Sequence, residues 1–293
     1  MRILIGVTPD DQTRDAVALG AALYRTFGGE ILLSHIYAAS FDYPGMAHVD
    51  VEWTKYLEED AELILSDARK TIEEEQNVPV TEEIVYGHRS SGVGLSKVAV
   101  QKDVDIIVIG TASGGAQGRF QVGSTADQLL HGGQRPVAMA PEGYRDMCPG
   151  ELDRLVVAWQ SSRECRSALA VTADYAQAGN LPVTLLSLVV KHRPYGRRKS
   201  KVSQEALDTY VAEKTADLQA MLSEMPDDIS REAEVIVGEN VHNAVQRRSW
   251  SDGELLVLTS SRTALLRRVF LGDATYKLVR TSPVPSVVLP RGT

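Results

Sequence analysis

Residues 106–130 of this 293-residue chain, IIVIG-TASGGAQGRFQV-GSTADQLL, hold the residue types most suited to chemistry. An aliphatic strand ends at Ile109 and Gly110, a loop of glycine and small residues follows, and Gly123-Ser124 opens a helix. Glycine lets backbone N–H groups approach an anion closely. A helix start adds unpaired N–H donors and the positive end of the helix dipole. Ser124 and Thr125 add hydroxyl donors. Together they suit the phosphates of a nucleotide, although a flexible loop with a serine N-cap and no ligand has the same sequence. No Gly-Lys-Ser/Thr follows, so ordinary P-loop phosphoryl transfer is not indicated.

Other chemistry finds less support. The six histidines (His35, His48, His88, His131, His192, His242) form no HxH or HxxxH spacing, which argues against a metal site. Cys148 and Cys165 form no CxxC pair, so neither a thiolate metal site nor a disulfide framework is expected. No GxSxG elbow is present, and no catalytic residue is assigned. The run Lys191–Lys201, KHRPYGRRKSK, reads either as an exposed loop or as a contact for an anionic partner or another subunit.

The elements that must position the glycine-rich segment alternate strand with helix. Strands are expected at 2–7, 30–37, about 80–86, 105–110 and 136–140, and helices at 13–27, about 51–76, about 91–102 and 124–131. In the long helix, Tyr56, Leu57, Ala61, Leu63, Ile64 and Ala68 fall at helical spacing. Gly28-Gly29 stops the first helix. This order implies right-handed βαβ crossovers and a parallel sheet. The series then repeats, with strands near 155–159, 182–190, 232–238, 254–258 and 284–289. Helices fall near 164–178, 203–222, 240–249 and 273–281. Gly110 and Thr259, Gly123 and Gly272, Pro136 and Pro285, and Pro141 and Pro290 are each 149 apart, and Ser34 is matched to Ser187. The expectation is a duplicated α/β domain: two tandem Rossmann-like open parallel-sheet units, 1–145 and 150–293, joined through 142–152. Their fifth strands, at the Pro136 and Pro285 motifs, should pair antiparallel and cover each other's edges.

Composition agrees with such a protein. Lys+Arg is 31 against 39 Asp+Glu, a net charge of −8, which disfavours general nucleic-acid binding. Hydrophobic residues make up 43% and charged residues 24%, too apolar for disorder. No apolar run reaches membrane-spanning length. The opening MRILIGVTP turns polar too soon for a signal peptide, so a cytoplasmic location is expected.

On these residues the chain resembles the universal stress protein (UspA) family in its tandem form, whose domains have the adenine nucleotide alpha hydrolase-like fold. The family pattern Gly-x2-Gly-x9-Gly-Ser/Thr grips an ATP phosphate chain and ribose. Here it reads Gly110-x2-Ser113-x9-Gly123-Ser124, with Gly114 beside the substituted second glycine. The resemblance places Thr8 where ATP-binding members carry an Asp near base and ribose. It places Ile36 of the LHV-like Ser34-His35-Ile36 against adenine, and Gly87 at the pocket wall. It implies ATP, with or without Mg²⁺, as ligand, a stress-response regulator rather than an enzyme, and a homodimer of whole chains as compatible. The alternative is a nucleotide-independent interaction protein that kept the fold. In the second half the corresponding positions are Gln160, Val189, Gly238, Thr259, Arg262, Gly272 and Asp273. There Asp273, read as an N-cap, opposes a triphosphate, while Arg262, Arg267 and Arg268 oppose that repulsion.

Overall fold

A computed structural model describes residues 1–39, 47–112, 114, 117–132, 134–160, 162–191, 204–259 and 273–290. Ser113, the basic run beyond Lys191, Arg262 and Gly272 therefore lie outside the described residues. In the first half β1 (Arg2–Gly6), β2 (Glu30–Tyr37), β3 (Glu82–Gly87), β4 (Ile106–Gly110) and β5 (Val137–Ala140) alternate with helices. These are α1 (Gln12–Phe27), α2 (Ala47–Lys70), α3 (Ser91–Gln101) and α4 (Ser124–Gly132). A short α5 (Tyr144–Met147), not expected from sequence, sits in the junction. In the second half β6 (Arg154–Ala158), β7 (Val183–Val190), β8 (Arg231–Gly238), β9 (Glu254–Thr259) and β10 (Ser286–Leu289) repeat the series. Their helices are α6 (Arg163–Gly179), α7 (Gln204–Leu222), α8 (Val241–Arg247) and α9 (Asp273–Thr281).

The strands form one sheet in the order β3-β2-β1-β4-β5-β10-β9-β6-β7-β8. Within each half all neighbours are parallel. The halves meet as expected, through antiparallel β5 and β10, with Val287 opposite Ala138. This pairing covers both inner edges around a pseudo-twofold axis. One face of the sheet is covered by α1, α2, α6 and α7 and the other by α3, α4, α8 and α9, and both buried layers run across the two halves. Burial on both faces explains the nearly continuous aliphatic strands.

Two details differ from the sequence reading. The long second helix ends at Lys70 and passes into a π-helical turn over Thr71–Glu75. Its buried stripe is Ala61, Leu65, Ala68 and Ile72, whereas Tyr56 and Leu63 are 54% and 67% exposed. Several phases are apolar there, and periodicity alone does not choose among them.

The junction is fastened to the first half. Asp15 on α1 is fully buried and accepts the Gly143 and Arg145 N–H groups at 2.9 Å each. Burial pushes its carboxyl above the ordinary range, against those two bonds and the nearby Arg145 charge. The Arg145 guanidinium donates to the Asp11 carbonyl at 3.0 Å. Gly118 N–H donates to the Glu142 carbonyl at 2.8 Å, and Glu142 N–H donates to the Arg119 carbonyl at 3.0 Å. The glycine-rich loop, the junction and α1 are thus one bonded unit.

Candidate functional site

The sheet order fixes where a ligand can enter. From β1 the chain runs outward to β2 and β3, then returns to β4 on the other side of β1. Crossovers diverge at that switch point and leave a crevice beyond the carboxyl ends of β1 and β4. A cavity of about 380 Å³ lies there, within the usual range of small-molecule sites. Gly6, Val7 and Thr8 from the end of β1 line it, with Ser34, His35 and Ile36 from β2 and Ile109 to Ala112 following β4.

Three helix starts converge on the same space: Gln12 and Thr13 of α1, Ser91 of α3, and Ser124, Thr125 and Ala126 of α4. Helix starts carry unsatisfied N–H groups and the positive dipole end. The geometry depends on small residues. A Cβ at Gly110 would stand 2.2 Å from the Gln12 carbonyl oxygen, so only glycine lets α1 begin against the end of β4. A Cβ at Gly92 would stand 2.7 Å from the Thr125 carbonyl oxygen, which brings the starts of α3 and α4 together. Gly123 accepts the first α4 bond, from Asp127 N–H at 2.9 Å, so it holds the N-cap and Ser124 is the first helical residue. With no side chain of its own, a glycine cap leaves the first-turn N–H groups open to a ligand.

The crevice rim is tied down. The Thr13 hydroxyl donates to the Thr8 carbonyl at 2.6 Å and accepts from Thr8 N–H at 2.8 Å, joining the strand end to α1. Thr111 Oγ1 accepts Gln121 N–H at 2.7 Å, and Ala112 N–H donates to the Gln121 carbonyl at 3.1 Å, which closes the base of the glycine-rich loop. His35 Nδ1 donates to the Val7 carbonyl at 2.8 Å, which holds the ring against the end of β1. Asp10 is the acidic lining residue, and none of the described lining residues is Lys or Arg. An anion would therefore meet backbone N–H groups and hydroxyls here, not a cationic side chain of the described lining. Among the described residues no three His, Cys, Asp or Glu side chains converge as for a metal ion.

Of the positions assigned from sequence, the cavity gathers Thr8, Ile36, Ile109, Gly110, Gly123, Ser124 and Thr125. Gly87 stands a strand further out, where a Cβ would meet Tyr37 Oη and Ala39 Cβ at 2.7 Å each. Gly114 has φ 81° with open space around it, so it serves the turn and is not among the lining residues. Gly6, Asp10, Gln12, Ser34 and Ser91 were missed; Ser34, with His35, interrupts the apolar run of β2. Ser34 is 1% exposed, and its Oγ has no hydrogen-bond partner among the described residues.

In the second half, strand register corrects the matching of the repeats. Gly6 is level with Ser34, and Ala158 is level with Leu186. Val7 N–H bonds the Ser34 carbonyl, and Trp159 N–H bonds the Leu186 carbonyl. Ser34 therefore corresponds to Leu186, not Ser187, and Ile36 corresponds to Leu188, one residue before Val189. Leu188 packs in the same layer as Ile36. By the same register Gly87 corresponds to Val237, one residue before Gly238, whose Cβ would meet Ala244 N at 2.6 Å. The shift arose because a Ser and a Gly recur one residue late and invite alignment. Gln160 is exposed after β6, and Thr259 ends β9. Asp273 is the first residue of α9, inside the helix rather than capping it from outside.

A duplicated, mostly parallel α/β unit with a crevice at its switch point is a Rossmann-like open-sheet architecture. The model of the universal stress protein family matches residues 1–141 and again 151–290, and the chain belongs to that family, in its tandem form. It is 27% identical over 297 residues to the universal stress protein Rv2319c of Mycobacterium tuberculosis, covering 99% of this chain and all of that one. It is equally similar to Mb2346c of Mycobacterium bovis. Among solved structures, a universal stress protein from Archaeoglobus fulgidus superposes with a TM-score of 0.65 at 16% identity, covering 99% of this chain and 98% of the other. A putative one from Pseudomonas aeruginosa gives 0.55 at 13%, covering 99% and 92%. No helix among the described residues is long and apolar enough to cross a membrane.

Proposed function

We propose that this protein binds one adenine nucleotide, ATP, in the first-half crevice and acts as a nucleotide-responsive regulator in stress response, with units at 1–145 and 150–293. The observation that carries this reading is the convergence of three helix starts on one cavity at the β1–β4 switch point. Backbone N–H groups of α4 and the loop after Gly110 would hold the phosphates, with the Ser124 and Thr125 hydroxyls beside them. Thr8 would meet the ribose. Apolar walls from Ile36, Leu95 and Ile109 suit adenine better than guanine, whose edge carries more polar groups to leave unpaired. A Mg²⁺ ion, if it accompanies the phosphates, would find a carboxylate in Asp10.

Titration calorimetry with ATP tests the reading directly, and native mass spectrometry of gently purified protein supplies the stoichiometry. The expected result is one nucleotide per chain. Failure of ATP to bind at millimolar concentration would leave the second reading, a nucleotide-independent interaction protein. That alternative is favoured by Asp10 at the crevice and by the lack of Lys or Arg among the described lining residues.

A further inference from the structure

We propose that Ser34 reads the base: its hydroxyl hydrogen-bonds the polar edge of adenine in the slot between β1, β2 and α3. The assignment rests on the nucleotide reading above. A serine hydroxyl that is 1% exposed and has no partner among the described residues is a standing cost to the fold. Ser34 is among the residues that line the cavity, with its hydroxyl at the covered floor. The room beside it is specific. Gly6 lies level with Ser34 on the neighbouring strand, and a Cβ there would stand 2.9 Å from Leu95 Cδ1 and 3.3 Å from Ile109 Cγ2. Absence of that one carbon lets Leu95 and Ile109 pack down onto the strand beside the hydroxyl.

The walls of the slot, Ile36, Leu95 and Ile109, are hydrocarbon. A purely apolar occupant would leave the hydroxyl orphaned, whereas a base lies flat against hydrocarbon and presents a polar edge. The hydroxyl can donate to a ring nitrogen or accept from an exocyclic amine. The duplication supplies an internal control. At the same register the second half has Ala158 and Leu186, and Leu186 is 1% exposed. The same sheet position is thus filled by hydrocarbon in the other copy of the fold.

The test compares wild type with Ser34→Ala, using ATP and inorganic tripolyphosphate as probes in calorimetry and thermal unfolding of the nucleotide-free protein. Expected are roughly tenfold weaker ATP binding, the size of one lost hydrogen bond in a buried site, and unchanged tripolyphosphate binding. The nucleotide-free variant should melt at the same temperature or higher, because the substitution removes an orphan. Equal ATP affinity in both proteins would overturn the assignment and mean that solvent satisfies the hydroxyl. A lowered melting temperature, or parallel losses for both probes, would also overturn it by making the role structural. If wild type binds neither probe, the nucleotide reading itself fails, an outcome distinct from equal binding by the two proteins.

Discussion

In the first half the polar groups near the strand ends face a cavity; at the same register among the described residues the second half carries leucines. Ser34, Thr8 and Thr111 line the crevice, and the starts of α1, α3 and α4 open into it. In the second half Leu186 and Leu188 occupy the positions of Ser34 and Ile36, while Val245 and Leu258 belong to the same buried layer. Its buried charge is instead spent internally. Arg248, nearly inaccessible, is bonded to Glu254 through two nitrogens and to Glu234 at 2.7 Å, and lies 4.2 Å from the Trp250 ring. Among the described residues each copy keeps one buried donor without a partner near its first strands, the Ser34 hydroxyl in the first and the Trp159 indole N–H in the second, but only Ser34 lines the cavity. An orphaned buried donor is costly, and the one that borders a cavity is the one a ligand could satisfy. The second copy completes the sheet through β10.

The largest expected effect of breaking this contrast falls on the second half. Glu254→Ala leaves the Arg248 guanidinium buried with only Glu234, and removal of one partner from such a cluster costs roughly 3–5 kcal/mol. Denaturant unfolding should register that loss while ATP affinity stays within about twofold. A variant that loses ATP binding while still folded would tie the second half to the site and refute the division of labour.

Gly123→Val acts on the first half. The added side chain starts 2.9 Å from Ala112 Cβ and fills the approach to the α4 start, so phosphate contact should be lost. At least ~100-fold weaker ATP binding, about 2.7 kcal/mol, is the expected calorimetric result. Undiminished affinity would put the nucleotide elsewhere.

A smaller effect separates charge from shape in the second half. Asp273 adds a negative charge to the first residue of α9, where Ser124 begins α4. If charge alone excluded ATP, Asp273→Ser would create a second site. With Leu186 and Leu188 in the place of Ser34 and Ile36, that substitution should raise second-half affinity less than about tenfold, ~1.4 kcal/mol, and leave one nucleotide per chain. Two equivalents of comparable affinity would make electrostatics the deciding term.

What was legible in the sequence follows the same physics. Aliphatic runs marked the inner strands, because a sheet buried on both faces tolerates little else, whereas the edge strands β3 and β8 mix glutamates with aliphatic residues. The antiparallel meeting of the fifth strands followed from two exposed edges with the same motif. The crevice was legible where glycine was needed, as at Gly110 and Gly123. Asp10, Gln12 and Ser91 were not, because a residue at a helix start enters a site only through where its strand or helix ends. The repeat register slipped at Ser187 because single-residue identity carries less information than strand pairing.

The smallest expected effect concerns the junction, where Asp15 of the first half corresponds to Ser167 by the same offset that relates Gly6 to Ala158. Burial is the largest influence on Asp15 and raises its folded pKa above the ordinary 3.8, while the Gly143 and Arg145 N–H bonds pull the other way. A carboxyl with a raised folded pKa takes up its proton more readily in the folded state than in the unfolded one. Its contribution to stability is therefore fully present below about pH 4 and declines as pH rises through the folded value. Above that value no further change is expected. Asp15→Asn removes the titration, so the stability difference, wild type minus variant, should fall with rising pH. The fall amounts to about 1.4 kcal/mol for every tenfold by which the folded carboxyl holds its proton more tightly than the unfolded one. Ser167→Ala removes a hydroxyl that does not titrate in this range, and its stability difference should be flat. Urea unfolding of the three proteins at several pH values between about 3.5 and 7 gives the comparison. A difference for Asp15→Asn that rises with pH would mean that the two N–H bonds outweigh burial, and that the junction is held by an ionised carboxylate stabilised rather than strained by its surroundings.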